Sequence, residues 1–138
     1  MRLLLDTNVV LDVLLARSPF DEDGATVMSA VETGLAEGFL CATTVTTIHY
    51  LTAKAVGRKT AEKHVASLLR IFQIAPVTGA ILSSALVSNA KDFEDAVLLE
   101  SGRAVSIDAI VTRDPFDFKK TLGISIHKPA DILRILGV

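Results

Sequence analysis

Two short apolar runs constrain this chain more than any other feature. Leu3-Leu4-Leu5 is unbroken and ends at Asp6, and Ala109-Ile110-Val111 is unbroken and ends at Thr112, two residues before Asp114. A strand with one wet face alternates apolar and polar residues, whereas a strand with no polar residue must be covered on both faces. That is the condition of strands in a parallel sheet, and in open α/β sheets functional sites form at the carboxyl ends of the strands.

The rest of the sequence supplies the cover. Strands are expected at Leu3 to Asp6, Phe39 to Thr43, Ile74 to Val77, Ala109 to Thr112 and Ile124 to His127. Between them fall helical segments at Asn8 to Ala16, Val45 to Val56 with a stop at Gly57, Ala61 to Phe72 capped by Thr60, Thr78 to Ser88, and Asp92 to about Arg103. A further helix is expected to start from Ser18-Pro19-Phe20-Asp21, with Ser as cap, Pro first and an acid three residues on. It runs to about Glu37 and is closed by Gly38, with Gly24 weakening its first turn. A last helix opens at Pro129. The alternation predicts an α/β fold of three layers, α/β/α, with a central parallel sheet and more helix than strand.

At 138 residues without a compositional break or repeat, residues 1–138 are expected to form one domain. Half the residues are apolar and mean hydropathy is +0.47, while aromatics make up only 5%. This surplus of aliphatic side chains fits a tightly covered sheet or a buried oligomer interface. The net charge of −2 excludes a generic polyanion binder, so any nucleic-acid contact must come from a local patch. The single cysteine, Cys41, excludes a disulfide framework and a multi-cysteine zinc site, and its apolar neighbours predict a buried thiol. No signal-peptide pattern opens the chain, and the uncharged stretch from Ile71 to Ala90 is broken by Gln73, Pro76, Gly79 and several serines. No membrane span and a reducing cytoplasm are the expectations.

Four aspartates carry the chemistry. Taken singly, Asp6 reads as a helix cap, Asp92 and Asp95 as cap and third residue of one helix, Asp114 as a turn initiator before Pro115, and Asp117 as a solvated turn charge. Those separate roles leave their common placement unexplained. Asp6 and Asp114 follow strands, and Asp95 opens a helix that leads into one of them, so a parallel sheet gathers all three on one edge. Carboxylates held close repel one another, and a fold that assembles them normally supplies a cation. Hard oxygen ligands point to Mg²⁺ or Mn²⁺, which suit phosphodiester hydrolysis.

With these residues in view, the chain resembles the PIN-domain family, and within it the VapC-type ribonuclease toxins of toxin–antitoxin pairs. The resemblance rests on Leu4-Leu5-Asp6-Thr7-Asn8-Val9, on Phe93-Glu94-Asp95-Ala96, and on Ile110-Val111-Thr112-Arg113-Asp114 with Asp117-Phe118. It implies a metal-dependent endoribonuclease acting on single-stranded RNA. Asp6, Asp95 and Asp114 would be the catalytic and metal-binding acids, Asp117 an accessory metal ligand, and Asn8 and Thr112 the supporting polar residues. It also implies a homodimer and a protein antitoxin.

One position departs from the family pattern. Where a glutamate is usual, Thr46-Thr47-Ile48-His49-Tyr50 offers His49, which removes a charge and a hard oxygen; a neutral imidazole suits Mn²⁺ better than Mg²⁺. Asp12 and Glu94 stand near enough in sequence to replace the missing acid. The alternative to an active nuclease is therefore a degenerate PIN module that binds RNA or a protein without cutting. A phosphoryl-transfer or receiver domain ranks below both, because Asn8 stands where its second acid belongs. For RNA, Lys54, Arg58, Lys59 and Lys63 form a basic run with His64 beside it, and Arg113 lies next to Asp114.

Overall fold

The computed structural model describes residues 1–88, 91–115 and 123–138. Within them, β1 (Arg2–Leu5), β2 (Glu37–Cys41), β3 (Gln73–Ala75), β4 (Ala109–Val111) and β5 (Ser125–His127) form one sheet in the order β3-β2-β1-β4-β5. Every pairing is parallel, with Leu4 level with Phe39 on one side and with Ile110 on the other. The expected parallel sheet is the observed one.

The helices are α1 (Thr7–Leu14), α2 (Asp21–Glu32), α3 (Ala42–Val56), α4 (Arg58–Ile71), α5 (Gly79–Val87), α6 (Phe93–Ala104) and α7 (Pro129–Leu136). Successive strand residues face opposite ways, so β1 feeds two cores. Leu3 and Leu5 join Leu40, Val111, Val9 and Val10 of α1, Val27 of α2, Ile48 of α3, Leu68 of α4 and Ile132 of α7. Leu4 joins Phe39, Ile110, Ala85 of α5 and Val97 of α6 on the other face. Leu3, Leu4 and Leu5 are fully buried, each stabilising the fold by about 1.5–3 kcal/mol relative to an exposed side chain. Cys41 is a buried free thiol, as its neighbours predict. Among the described residues no helix is long and apolar enough to cross a membrane.

Several boundaries differ from expectation: β2 ends at Cys41, so Thr43 falls in α3, which begins at Ala42 rather than Val45. Helix α2 begins at Asp21 rather than at Pro19, with Phe20 at the capping position and no side chain bonded there. Asp21, Glu22 and Asp23 place three negative charges against the positive end of the helix instead. The helix stops at Glu32, because Gly34 takes a left-handed φ of 83° and the amides of Gly34 and Leu35 turn back to the carbonyls of Val31 and Ala30. Gly38 is then no helix terminator. It lies in β2, where an added Cβ would run into Val31 and Phe72. Likewise Thr60 lies inside α4, whose capping position is Gly57 at φ 93°.

Candidate active site

The strand order fixes where a site can form. From β1 the chain steps outward to β2 and β3, then returns across to β4 on the opposite side of β1. The crevice between the carboxyl ends of β1 and β4 is therefore the switch point of the sheet, the place where open α/β sheets bind ligands.

Asp6 stands at that point. It leaves β1 with its amide on the Val111 carbonyl at 2.9 Å and caps α1, its Oδ1 accepting from the Thr7 amide at 2.8 Å. Its other oxygen, Oδ2, accepts from the Thr112 hydroxyl at 2.8 Å. One oxygen thus caps the helix, as expected of an Asp at this place, and the other ties Asp6 to the end of β4. Thr112 is fully buried, and its Oγ1 also accepts from the Asp114 amide at 3.2 Å. Asn8 Oδ1 accepts from the Arg113 amide at 3.3 Å. The turn after β4 is thereby tied to the start of α1, and Asp6 and Asp114 share a single hydroxyl. From the first turn of α3, just after β2, comes Thr44, whose Oγ1 meets that of Thr7 at 3.3 Å.

Behind this edge lies a cluster that sequence spacing only hinted at. Asp12 is 2% exposed, with its Oδ1 at 3.1 Å from Arg113 Nη1 and 3.7 Å from Arg17 Nη1. Burial pushes the Asp12 carboxyl above its ordinary value of 3.8, the charges of Arg113 and Arg17 pull it back, and Asp114 adds to the rise. The Arg113 guanidinium also lies over the Phe20 ring, 4.4 Å from its centre. Asp12, Arg113 and Phe20, with Asp23, Asp114 and Lys128, line an open cavity of about 540 Å³. Asp12 is therefore paired with two arginines in this structure. Phe20 and Lys128 escaped the sequence reading because nothing local marks them, and only the fold brings them to Arg113.

The remaining candidates are spread more widely. Asp95 occupies the third position of α6, with its amide donated to the Asp92 cap at 3.2 Å. Since α6 leads into the amino end of β4, its first turn lies toward the edge where β1 ends. Glu94 is exposed beside it. His49 is half-buried on α3, one position around from the buried face of Thr44, Ile48 and Thr52. Lys54 lies over Tyr50, and Arg58 pairs with Glu62 at 3.4 Å, so both make local contacts at the break between α3 and α4; Lys59 is exposed beside them. Asp117 lies outside the described residues.

Among the described residues no three Asp, Glu, His or Cys side chains are grouped to hold one metal ion. The donors nevertheless suit a hard cation: they are carboxylates, and the one at the switch point is held in place on both oxygens. Mg²⁺ usually binds through one or two carboxylates and completes its shell with water and substrate phosphate, so a three-donor cage is not required.

Comparison with known proteins agrees with the geometry. The family model described as PIN domain matches residues 2–115. No curated protein matches the sequence. Among solved structures, a chain of VapBC2 from Rickettsia felis bound to a DNA fragment from its promoter is similar at 11% identity and a TM-score of 0.68, over 93% of this chain and 98% of that one. A chain of DNA-bound VapBC from Salmonella typhimurium gives 12% identity and 0.69, over 94% and 98%. Mycobacterium tuberculosis VapC20, a Sarcin-Ricin loop cleaving toxin, gives 16% and 0.64, over 78% and 86%. At these identities the three structures show a shared fold.

Proposed function

The chain belongs to the PIN-domain family, and from that premise we propose that it is a divalent-metal-dependent endoribonuclease that cuts single-stranded RNA and acts as the toxin of a type II toxin–antitoxin pair. The observation that carries this reading is Asp6, fixed at the switch point with Oδ1 on the Thr7 amide and Oδ2 on the Thr112 hydroxyl. A carboxylate with no task beyond capping needs only the first of these bonds.

In this reading Asp6, Asp95 and Asp114, with Asp117 as accessory, would hold Mg²⁺ or Mn²⁺, which supplies polarisation of a phosphoryl oxygen and a more acidic bound water. The chain's own contribution is positioning. Thr112 sets the Asp6 carboxylate and the Asp114 backbone from one hydroxyl, and Asn8 fixes the Arg113 amide, so the turn after β4 cannot shift without disturbing Asp6. Arg113 lies beside these acids, and a cation there offsets the repulsion that carboxylates exert on RNA phosphates. Lys54, Arg58 and Lys59 would extend the attraction farther out.

The partners follow from the same reading. The solved neighbours described as VapBC support a protein antitoxin, and VapC20, described as a loop-cleaving toxin, supports RNA as substrate. A homodimer would cover the apolar side chains of α5 and the start of α6, where Leu86 is 74% and Val87 84% exposed. A cytoplasmic setting fits this pairing.

A second reading, a degenerate PIN module that binds without cutting, is favoured by His49 at the usual acid position and by the lack of a three-donor group among the described residues. Calorimetric titration with Mn²⁺ beside an RNA cleavage assay separates the two. Binding that disappears in Asp6→Asn, together with turnover, supports the nuclease; RNA binding without turnover at any Mn²⁺ concentration supports the module.

A further inference from the structure

The cavity beside Asp114 is larger than the ion-binding edge requires, and its lining is unlike that edge. Its volume of about 540 Å³ falls within the roughly 300–1,000 Å³ typical of small-ligand pockets. One wall is the Phe20 ring, 46% exposed, with the Arg113 guanidinium against it. Another wall brings Lys128 from the end of β5, and the floor holds the buried carboxylate of Asp12. Asp114 lines the same space, so whatever occupies it lies against the acid whose amide is tied through Thr112 to Asp6.

Resting on the nuclease reading, we propose that this cavity seats one nucleotide of the RNA next to the bond that is cut, with the base stacked on Phe20 and the phosphate held by Arg113 and Lys128. A base is a flat π-surface, and aromatic rings and guanidinium planes are the side chains that stack on it. Here the two are already assembled as a pair. Arg113 is kept in that pair by Asp12, a buried carboxylate 3.1 Å from its Nη1, so the guanidinium is placed before any ligand arrives. Asp12 is therefore a positioning residue, acting on RNA through Arg113. Asp23 and Asp114 also line the cavity and would attract an arginine-rich peptide, but the ready-made pairing of Phe20 with the Arg113 guanidinium suits a flat base, and that favours the nucleotide as occupant.

The test compares wild type, Phe20→Ala, Phe20→Trp and Lys128→Ala, using a short mixed-sequence single-stranded RNA for cleavage with Mn²⁺ and, fluorescently labelled, for anisotropy in chelator. Phe20 and Lys128 are both exposed, so these variants keep the core intact. Phe20→Ala is expected to raise KM and weaken RNA binding by about five- to hundredfold, the loss expected for one base–aromatic stack, with kcat nearly unchanged. Phe20→Trp restores both, and Lys128→Ala weakens binding in a salt-dependent way. Wild-type cleavage with KM and binding unmoved in Phe20→Ala overturns the nucleotide seat and leaves the nuclease standing. A wild type that neither binds nor cuts RNA overturns both. Loss of hexa-arginine binding in Phe20→Ala, with RNA binding intact, assigns the cavity to a peptide and overturns the seat.

Discussion

Thr112 donates its hydroxyl hydrogen to Asp6 Oδ2 at 2.8 Å, joining the ends of two neighbouring strands through side chains 106 positions apart in sequence. The Thr112 hydroxyl oxygen also accepts from the Asp114 amide, so removing one hydroxyl loosens both acids. Thr112→Val keeps the shape and deletes the bonds. It should cost about 1–3 kcal/mol of stability, since the part-buried Asp6 carboxylate loses its donor. It should also lower RNA cleavage by about 10- to 100-fold, the usual effect of losing a group that orients an ion-binding residue. Thr112→Ser should retain most of the activity, and comparing kcat for the three proteins checks it.

The Asp12 carboxyl provides a prediction in pH. Its folded value is raised above 3.8 by burial, so the folded chain binds this proton more tightly than the unfolded chain. Stability from that proton is fully present below about pH 3.8 and is lost as pH rises through the raised value. Thermal melts of wild type and Asp12→Asn from acid to neutral pH should therefore show wild type losing ground to the variant over that rise. A difference in Tm that stays flat, or moves in favour of wild type, contradicts the assignment.

Gly38 tests the packing of β2. An added Cβ there meets Val31 and the Phe72 ring, both parts of the buried core, so Gly38→Ala should destabilise by about 1–3 kcal/mol through overpacking. Gly34→Ala serves as a comparison of another kind, since nothing lies within 4 Å of its added Cβ and only the left-handed φ of 83° opposes it. Urea midpoints for the two variants measure both costs.

How far the sequence could be read follows from how local each signal is. The strands β1 and β4 were legible because an apolar run ending in a polar residue needs no distant information, and Asp6, Asn8, Thr112 and Asp114 came with them. The start of α2 was misread because Ser18-Pro19 imitates a cap while the acids of the next turn hold the actual helix end. Its finish was misread because Gly34 and Gly38 are alike in sequence and differ only in what packs on them. The Asp12, Arg113 and Phe20 cluster was illegible for a stronger reason: its central bond spans 101 residues and forms only when the turn after β4 reaches α1.

In the nuclease reading, His49 stands where the family pattern has an acid, and replacing it tests how the edge would hold a cation. If the imidazole leaves a donor short, His49→Glu supplies a hard oxygen and should raise Mg²⁺-supported cleavage by about tenfold, with a smaller change in Mn²⁺. A fall in activity instead would mean that the imidazole itself is used. Steady-state cleavage in each metal distinguishes the two.

The most direct measurement is single-stranded RNA cleavage in Mn²⁺ by wild type and by Asp6→Asn, with the fold of the variant checked by circular dichroism. The account predicts cleavage by wild type that chelator abolishes, and a loss of at least about a hundredfold in Asp6→Asn. Equal residual cleavage in the two proteins would contradict it.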